Sequence, residues 1–152
     1  MTPDNACFDF VKSREGLRLT AYQDSAGIWT IGYGTIRYED NTPVKKGDTI
    51  TQAQADELIE NDISVRSVKV LAAILPTVIT QNQFNALVSF AYNAGLGALL
   101  NSTLLKQVKA NPDDPHIRES FLVWNKAHQG GKLVPIKGLT IRRGAEADMY
   151  FL

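Results

Sequence analysis

Apolar positions near the start of the chain recur at the spacing of one helical face. Ala6, Cys7, Phe10 and Val11 form that stripe, and Asp4 stands where a side chain can cap the first free amides, so a short helix is predicted from about Asn5. Helical signals stop by Gly16, and the period then changes. Leu17, Leu19 and Ala21 alternate with Arg18 and Thr20. After a turn at Asp24-Ser25-Ala26-Gly27 comes the β-branched and aromatic run from Ile28 to Ile36. The two runs read as a hairpin. A third short strand is expected near Pro43 to Lys45, between the polar stretches at Glu39-Asp40-Asn41 and Gly47-Asp48.

From Thr51 the pattern is helical. Thr51 with Gln54 makes a capping box, and Ala55, Leu58, Ile59 and Ile63 make the stripe that follows. Pro76 stops this helix at about Leu75. Thr80 with Gln83 is a second capping box, Phe84, Leu87, Val88 and Ala91 share one face, and Gly95 suits a C-terminal cap. Further helices are expected at Thr103–Lys109, at Pro115–His128 before a loop at Gln129-Gly130-Gly131, and at Thr140–Tyr150. Strands therefore cluster in one early block and helices fill the rest, which is an α+β arrangement. We expect one domain over residues 1–152, with a small β lobe at about 15–50 and a larger helical lobe at about 1–14 and 51–152. The long helix from Thr51 would join them, and a cleft between lobes is an ordinary place for a ligand.

Composition narrows the partners. Of the residues, 44% are hydrophobic and 21% charged, so a folded core is expected and not a disordered chain. Lys plus Arg and Asp plus Glu both number 16. A nucleic-acid binder carries a basic excess to neutralise phosphates, and none exists here. A neutral chain also gains little long-range steering, so a substrate must be held at short range. With Cys7 as the one cysteine, no internal disulfide can form, which fits synthesis in a reducing compartment. Cys7 reads best as a small buried apolar residue in the first helix. The opening residues lack a basic and apolar leader, which argues against a secretory signal, and the most apolar stretch, Val68–Ile79, is too short to span a bilayer.

Three side chains could carry chemistry. Glu15 ends the first helix, Asp24 lies at the hairpin turn and Thr30 on the returning strand. If helix and hairpin face each other, the three converge on one groove. Two carboxyl groups in different environments can divide acid and base duties, as the cleavage of a sugar acetal requires. By residue type alone, Glu15 reads as a surface residue at a helix end and Asp24 as a turn-former, and not as a catalytic pair. Other candidates are weaker. His116 and His128 lack the clustered ligands of a metal site. Trp29 and Trp124 could stack on sugars, but aromatic residues at such positions are more often core. Gly32-Tyr33-Gly34 is too short for a phosphate loop.

The stretch from Glu15 to Gly34 resembles the catalytic signature of the phage-type lysozymes, glycoside hydrolase family 24: Glu, eight residues, Asp, five residues, Thr, in a Gly-Leu-x-Leu, Tyr-x-Asp, Trp-Thr-x-Gly-Tyr-Gly context. Gln83–Gly95 is similar to the family's central buried helix, Ser102-Thr103-Leu104-Leu105 follows at the expected distance, and Gly138–Glu146 is similar to its Gly-Leu-x-x-Arg-Arg-x-x-Glu segment. The resemblance covers nearly the whole chain. It implies a lysozyme-like fold with the cleft between the lobes. It also implies hydrolysis of the β-1,4 bond between N-acetylmuramic acid and N-acetylglucosamine in bacterial peptidoglycan, leading to lysis of the host cell. Glu15 would be the general acid, Asp24 the second carboxylate and Thr30 the holder of a water. Arg142 would sit near Glu15, and Tyr92, Asn93 and Ser102 would line the cleft floor.

The resemblance further implies a monomer that needs no cofactor or metal. It would wait in the host cytoplasm until a pore-forming holin lets it reach the wall, and its stereochemical outcome would be inversion. Where family members usually carry His after the Gly-Tyr-Gly run, this chain has Thr35, which reads as a local stability change. Two other readings stay open. One is a non-catalytic wall-binding module on the same fold. The other is a lytic transglycosylase, which uses one carboxyl and leaves anhydro sugar ends; Asp24 and Thr30 argue against it.

Overall fold

A computed structural model describes residues 1–152 in full. In chain order the elements are α1 (Asn5–Arg14), β1 (Arg18–Gln23), β2 (Trp29–Gly32), α2 (Gln52–Ile74), α3 (Gln81–Ala94), α4 (Leu96–Leu100), α5 (Thr103–Ala110), α6 (Ile117–Leu122), β3 (Lys126–Gln129), β4 (Lys132–Pro135) and α7 (Lys137–Tyr150). They form two compact units, Phe8–Val65 and Met1–Cys7 with Arg66–Leu152. Both α1 and α2 contribute residues to each unit.

In the smaller unit β1 and β2 pair antiparallel, with Tyr22 opposite Thr30 and Gln23 opposite Trp29. Between the Arg18–Gly32 and Tyr22–Thr30 pairs, β1 carries two more residues than β2. This irregularity bends β1 away from β2. The freed segment pairs instead with residues 48–50: Ala21 N donates to Asp48 O at 2.9 Å and Ile50 N to Leu19 O at 2.9 Å. The expected third strand at Pro43–Lys45 is reduced to a bridge between Pro43 and Arg37 and one bond from Val44 N to Ile36 O. The run from Ile28 to Ile36 also ends as a strand earlier than its composition suggests. Gly32 takes a φ of 64°, and a side chain there would meet the Ala55 Cβ and Ile50 Cδ1 at 3.4 Å. The chain reverses at that point, and Ile31 and Thr35 exchange two backbone bonds across the turn. Val11, Ile31, Tyr33, Val44, Ala55, Ile59 and Ile63 are the buried apolar residues of this unit. The helix they need begins at the predicted capping box, in which Thr51 N donates to Gln54 Oε1 and Gln54 N to Thr51 Oγ1.

The larger unit is built on α3. Its capping box at Thr80 and Gln83 is complete, and Gly95 closes its C-terminus through a bond to Ala91 O. Every residue from Gln83 to Ala91 is buried, so the helix lies inside and not on a surface. Burying a side chain such as Phe84, Leu87 or Phe90 is worth about 1.5–3 kcal/mol. Phe90 meets Phe121 and Trp124 edge-on at 5.9 and 5.6 Å, and Phe121 meets Tyr150 at 5.6 Å. Asp4 caps α1 at Cys7 N and also accepts from Asn85 Nδ2, and the fully buried Cys7 thiol lies 3.7 Å from Asn85 O. Burial, then the charges of Asp4 and Glu146, push that thiol up to about 12, so it stays protonated and inert.

One expectation is corrected here. The residues read as a helix to His128 form only the short α6, followed by a second antiparallel hairpin, β3–β4, with Gln129 opposite Lys132. Gly130 and Gly131 sit at φ of 57° and 79°, the pair of positive angles that a two-residue turn needs. Strands are therefore not confined to the early block. The short α4 was likewise not anticipated.

Beneath this hairpin lies a charged cluster without exposure. Glu146 Oε1 accepts from Ser89 Oγ at 2.7 Å and from Arg142 Nε at 3.2 Å, and Oε2 accepts from Arg143. Arg143 also donates to Asn93 Oδ1 and to Trp124 O, with its guanidinium 4.9 Å from the Phe90 ring centroid. Glu146→Gln would leave two buried guanidinium groups short of their counter-charge. We predict a loss of roughly 3 kcal/mol, read as a lower urea midpoint at unchanged slope.

Candidate active site

The three motif residues all belong to the smaller unit. Glu15 follows α1 directly, and its amide closes the last turn by donating to Lys12 O at 3.2 Å. Its side chain is half-buried.

Asp24 is held by the turn it makes. Its Oδ1 accepts from Ala26 N and from Ile28 N, both at 2.9 Å, while its own amide donates to Ile28 O at 2.9 Å. A carboxylate that receives two backbone amides cannot rotate freely, so its second oxygen is aimed by the turn. The register then relates it to Thr30. Tyr22 is opposite Thr30, and Asp24 follows the end of β1, its amide bonded to Ile28 O at the turn. Opposed residues share a face of the hairpin, so Thr30 lies on the side of Tyr22, two residues before the turn that Asp24 makes. The Thr30 hydroxyl is nearly fully buried and donates to Ile28 O at 2.9 Å. Its lone pairs remain able to accept a bond, as a water-holding group requires. Trp29 is half-buried on the strand beside them.

The other predicted residues lie in the larger unit. Tyr92 is half-buried, with the Arg66 guanidinium 5.5 Å from its ring centroid. Asn93 and Arg142 both feed the Glu146 cluster, Asn93 through Arg143 and Arg142 directly. Ser102 is buried and caps α5, accepting from Leu105 N at 3.0 Å and donating to Leu99 O at 2.6 Å. Its donor is committed to the fold. Trp124 belongs to the aromatic cluster around Phe90, and the exposed His116 pairs with Asp114 at 2.9 Å. No group of three or more His, Cys, Asp or Glu side chains is placed to hold a metal ion, and no helix is long and apolar enough to cross a membrane.

Sequence reasoning passed over Lys12, Tyr33 and Asp56. Lys12 Nζ contacts Glu60 and lies 3.9 Å from Asp56, and Tyr33 Oη donates to Asp56 Oδ1 at 2.9 Å. The helical spacing of Asp56 and Glu60 was visible, but their partners are distant in sequence.

An aimed carboxylate and a buried hydroxyl on one hairpin, with a second carboxyl at a helix end, suit hydrolytic acid–base chemistry. Comparison with known proteins gives the class. Residues 12–146 match the family model described as phage lysozyme. The chain is 39% identical over 140 residues to an endolysin of Acyrthosiphon pisum secondary endosymbiont phage 1, covering 92% of this chain and 91% of that protein. It is 38% identical over 152 residues to the Bacillus phage B103 endolysin, covering 99% of this chain but only 54% of the relative, so it spans about half that protein's length. Among solved structures, an endolysin from Escherichia coli O157:H7 phage FAHEc1 superposes with a TM-score of 0.90 at 43% identity, covering 99% of this chain and 93% of that one. The chain belongs to the phage lysozyme family.

The Asp24 turn yields a stability test. Asp24→Ala removes the acceptor of two backbone amides and should cost about 1 kcal/mol. Asp24→Asn keeps an acceptor oxygen and should cost less than half as much. An unchanged urea midpoint in Asp24→Ala would show that the carboxyl does not hold the turn.

Proposed function

We propose that Glu15, Asp24 and Thr30 are the catalytic set of a muramidase. The protein is a lysozyme-type endolysin, an enzyme that hydrolyses peptidoglycan. In the proposed reaction Glu15 gives its proton to the glycosidic oxygen between N-acetylmuramic acid and N-acetylglucosamine. The bond from that oxygen to the sugar's anomeric carbon breaks, and positive charge develops on the ring. A water held by Thr30 attacks the same carbon from the opposite face and passes its proton to Asp24. That course gives inversion. The reaction asks Glu15 to give a proton and Asp24 to take one, a division of roles that two carboxyl groups can sustain in different surroundings.

The observation that carries this reading is the fixed geometry of the hairpin. Two backbone amides immobilise one Asp24 oxygen at the turn of the hairpin whose returning strand bears Thr30. A pre-aligned base and water site lowers the entropy cost of the attack. We carry Tyr92, Asn93, Ser102 and Arg142 forward as substrate-binding residues on the family's pattern. The monomeric state, the wait in the host cytoplasm and release through a holin belong to the same proposal.

Glu15→Gln is close to isosteric and removes only the donated proton. We expect clearing of exposed bacterial walls to slow by about a thousandfold, with circular dichroism and melting temperature near wild type. Clearing at the wild-type rate by a folded Glu15→Gln protein would refute the assignment.

A further inference from the structure

We infer that Asp56 is a positioning residue for the hydrolysis, tying together the two segments that carry the catalytic groups; this rests on the catalytic reading of Glu15 and Thr30 given above. Two contacts reach its carboxylate from different parts of the chain. From α1, Lys12 places its ammonium 3.9 Å from Asp56 Oδ1 while also binding Glu60 Oε1, one helical turn further along α2. From the loop that follows β2, Tyr33 donates its phenol to the same Oδ1 at 2.9 Å.

Each contact acts close to a catalytic residue. Lys12 is the residue whose carbonyl accepts the Glu15 amide, so fixing Lys12 fixes the turn that presents the acid. Tyr33 is three residues beyond Thr30, in the middle of the tight turn closed by Ile31 and Thr35. One carboxylate on a long, regular helix therefore anchors both the acid-bearing helix end and the strand that holds the water. The tie is partly shielded from solvent, although Asp56 itself is 33% exposed. The Lys12 side chain is 17% exposed and Tyr33 is 8% exposed. Against the lowering effect of burial, Glu60 first and then Asp56 and Asp9 draw the Lys12 pKa up, so the ammonium persists through the working range. Burial, then the hydrogen bond to Asp56, raises the Tyr33 pKa and keeps the phenol protonated and donating.

The alternative is a purely stabilising role, in which the contacts hold the unit folded but do not set the geometry of the reacting groups. Kinetics separate the two, because a small displacement of a catalytic group lowers turnover without weakening substrate binding. The experiment is steady-state hydrolysis of soluble peptidoglycan oligosaccharides by the full chain, with melting temperature measured on the same samples. For Lys12→Met and Tyr33→Phe we expect kcat to fall by about tenfold and a few-fold respectively, with KM within about twofold of wild type. Lys12→Arg should recover most of the turnover. The double variant should be little slower than Lys12→Met, since both changes release the same anchor.

Turnover within twofold of wild type in folded Lys12→Met and Tyr33→Phe would overturn the inference. So would a loss carried wholly by KM. If Lys12→Met melts below the assay temperature, Tyr33→Phe decides on the same criterion. Glu15→Gln run beside them separates the two levels. Full turnover in that variant refutes the catalytic reading, whereas an inactive Glu15→Gln with unaffected Lys12→Met and Tyr33→Phe refutes only the role of Asp56.

Discussion

The burial of Glu146 is the constraint on which the larger unit depends. A carboxylate with no exposure survives only when charge-matched donors meet both its oxygens, because the desolvation penalty is several kcal/mol. Ser89 on α3 and Arg142 and Arg143 on α7 meet it together. The same Arg143 then reaches Asn93 at the end of α3 and the Trp124 carbonyl just before β3. One acid thus sets how α7 lies along α3 and where the second hairpin begins. Apolar packing around Phe90 would tolerate several arrangements of these helices. The charged cluster tolerates one, since any slip by a helical turn would strand a guanidinium.

The smaller unit meets a different difficulty. Two short strands hold little structure by their own ladder. Aspartate side chains supply what the ladder lacks. Asp24 binds the amides of Ala26 and Ile28, Asp40 binds Thr42 through amide and hydroxyl, and Asp48 binds Lys45 N and Tyr38 Oη. The hydrogen bonds from Thr42 hold the Asp40 carboxyl below the usual carboxylate range, and those from Lys45 and Tyr38 do the same for Asp48. Seen this way, a proposed catalytic residue and the turn that holds it are one device. Asp24 is aimed because it is also structural.

Much of this was legible along the chain. The helices that start at capping boxes, α2 and α3, begin where Thr51 and Thr80 place them, because the signal and the cause are the same local hydrogen bonds. The Glu15, Asp24 and Thr30 motif is equally local. The hairpin β3–β4 was missed although Gly130-Gly131 marks a two-residue turn, because flanking residues such as Lys126, His128 and Lys132 lack the β-branched character of a strand. The end of β2 was missed for the opposite reason, since Tyr33 and Ile36 look like strand residues while Gly32 turns the chain. The contacts of Lys12 with Glu60 and of Ser89 with Glu146 join residues 48 and 57 positions apart, and no pattern in a single sequence announces such a pairing.

In the proposed reaction water receives the cleaved sugar, and the hairpin would supply both the base and the hydroxyl that place it. Digestion of purified peptidoglycan in heavy-oxygen water, followed by mass analysis of the released fragments, measures this directly. The account predicts one heavy oxygen on the anomeric carbon of each new reducing N-acetylmuramic acid end. Unlabelled anhydro ends would contradict it, because they would show that the sugar's own hydroxyl, and not a water, had closed on that carbon.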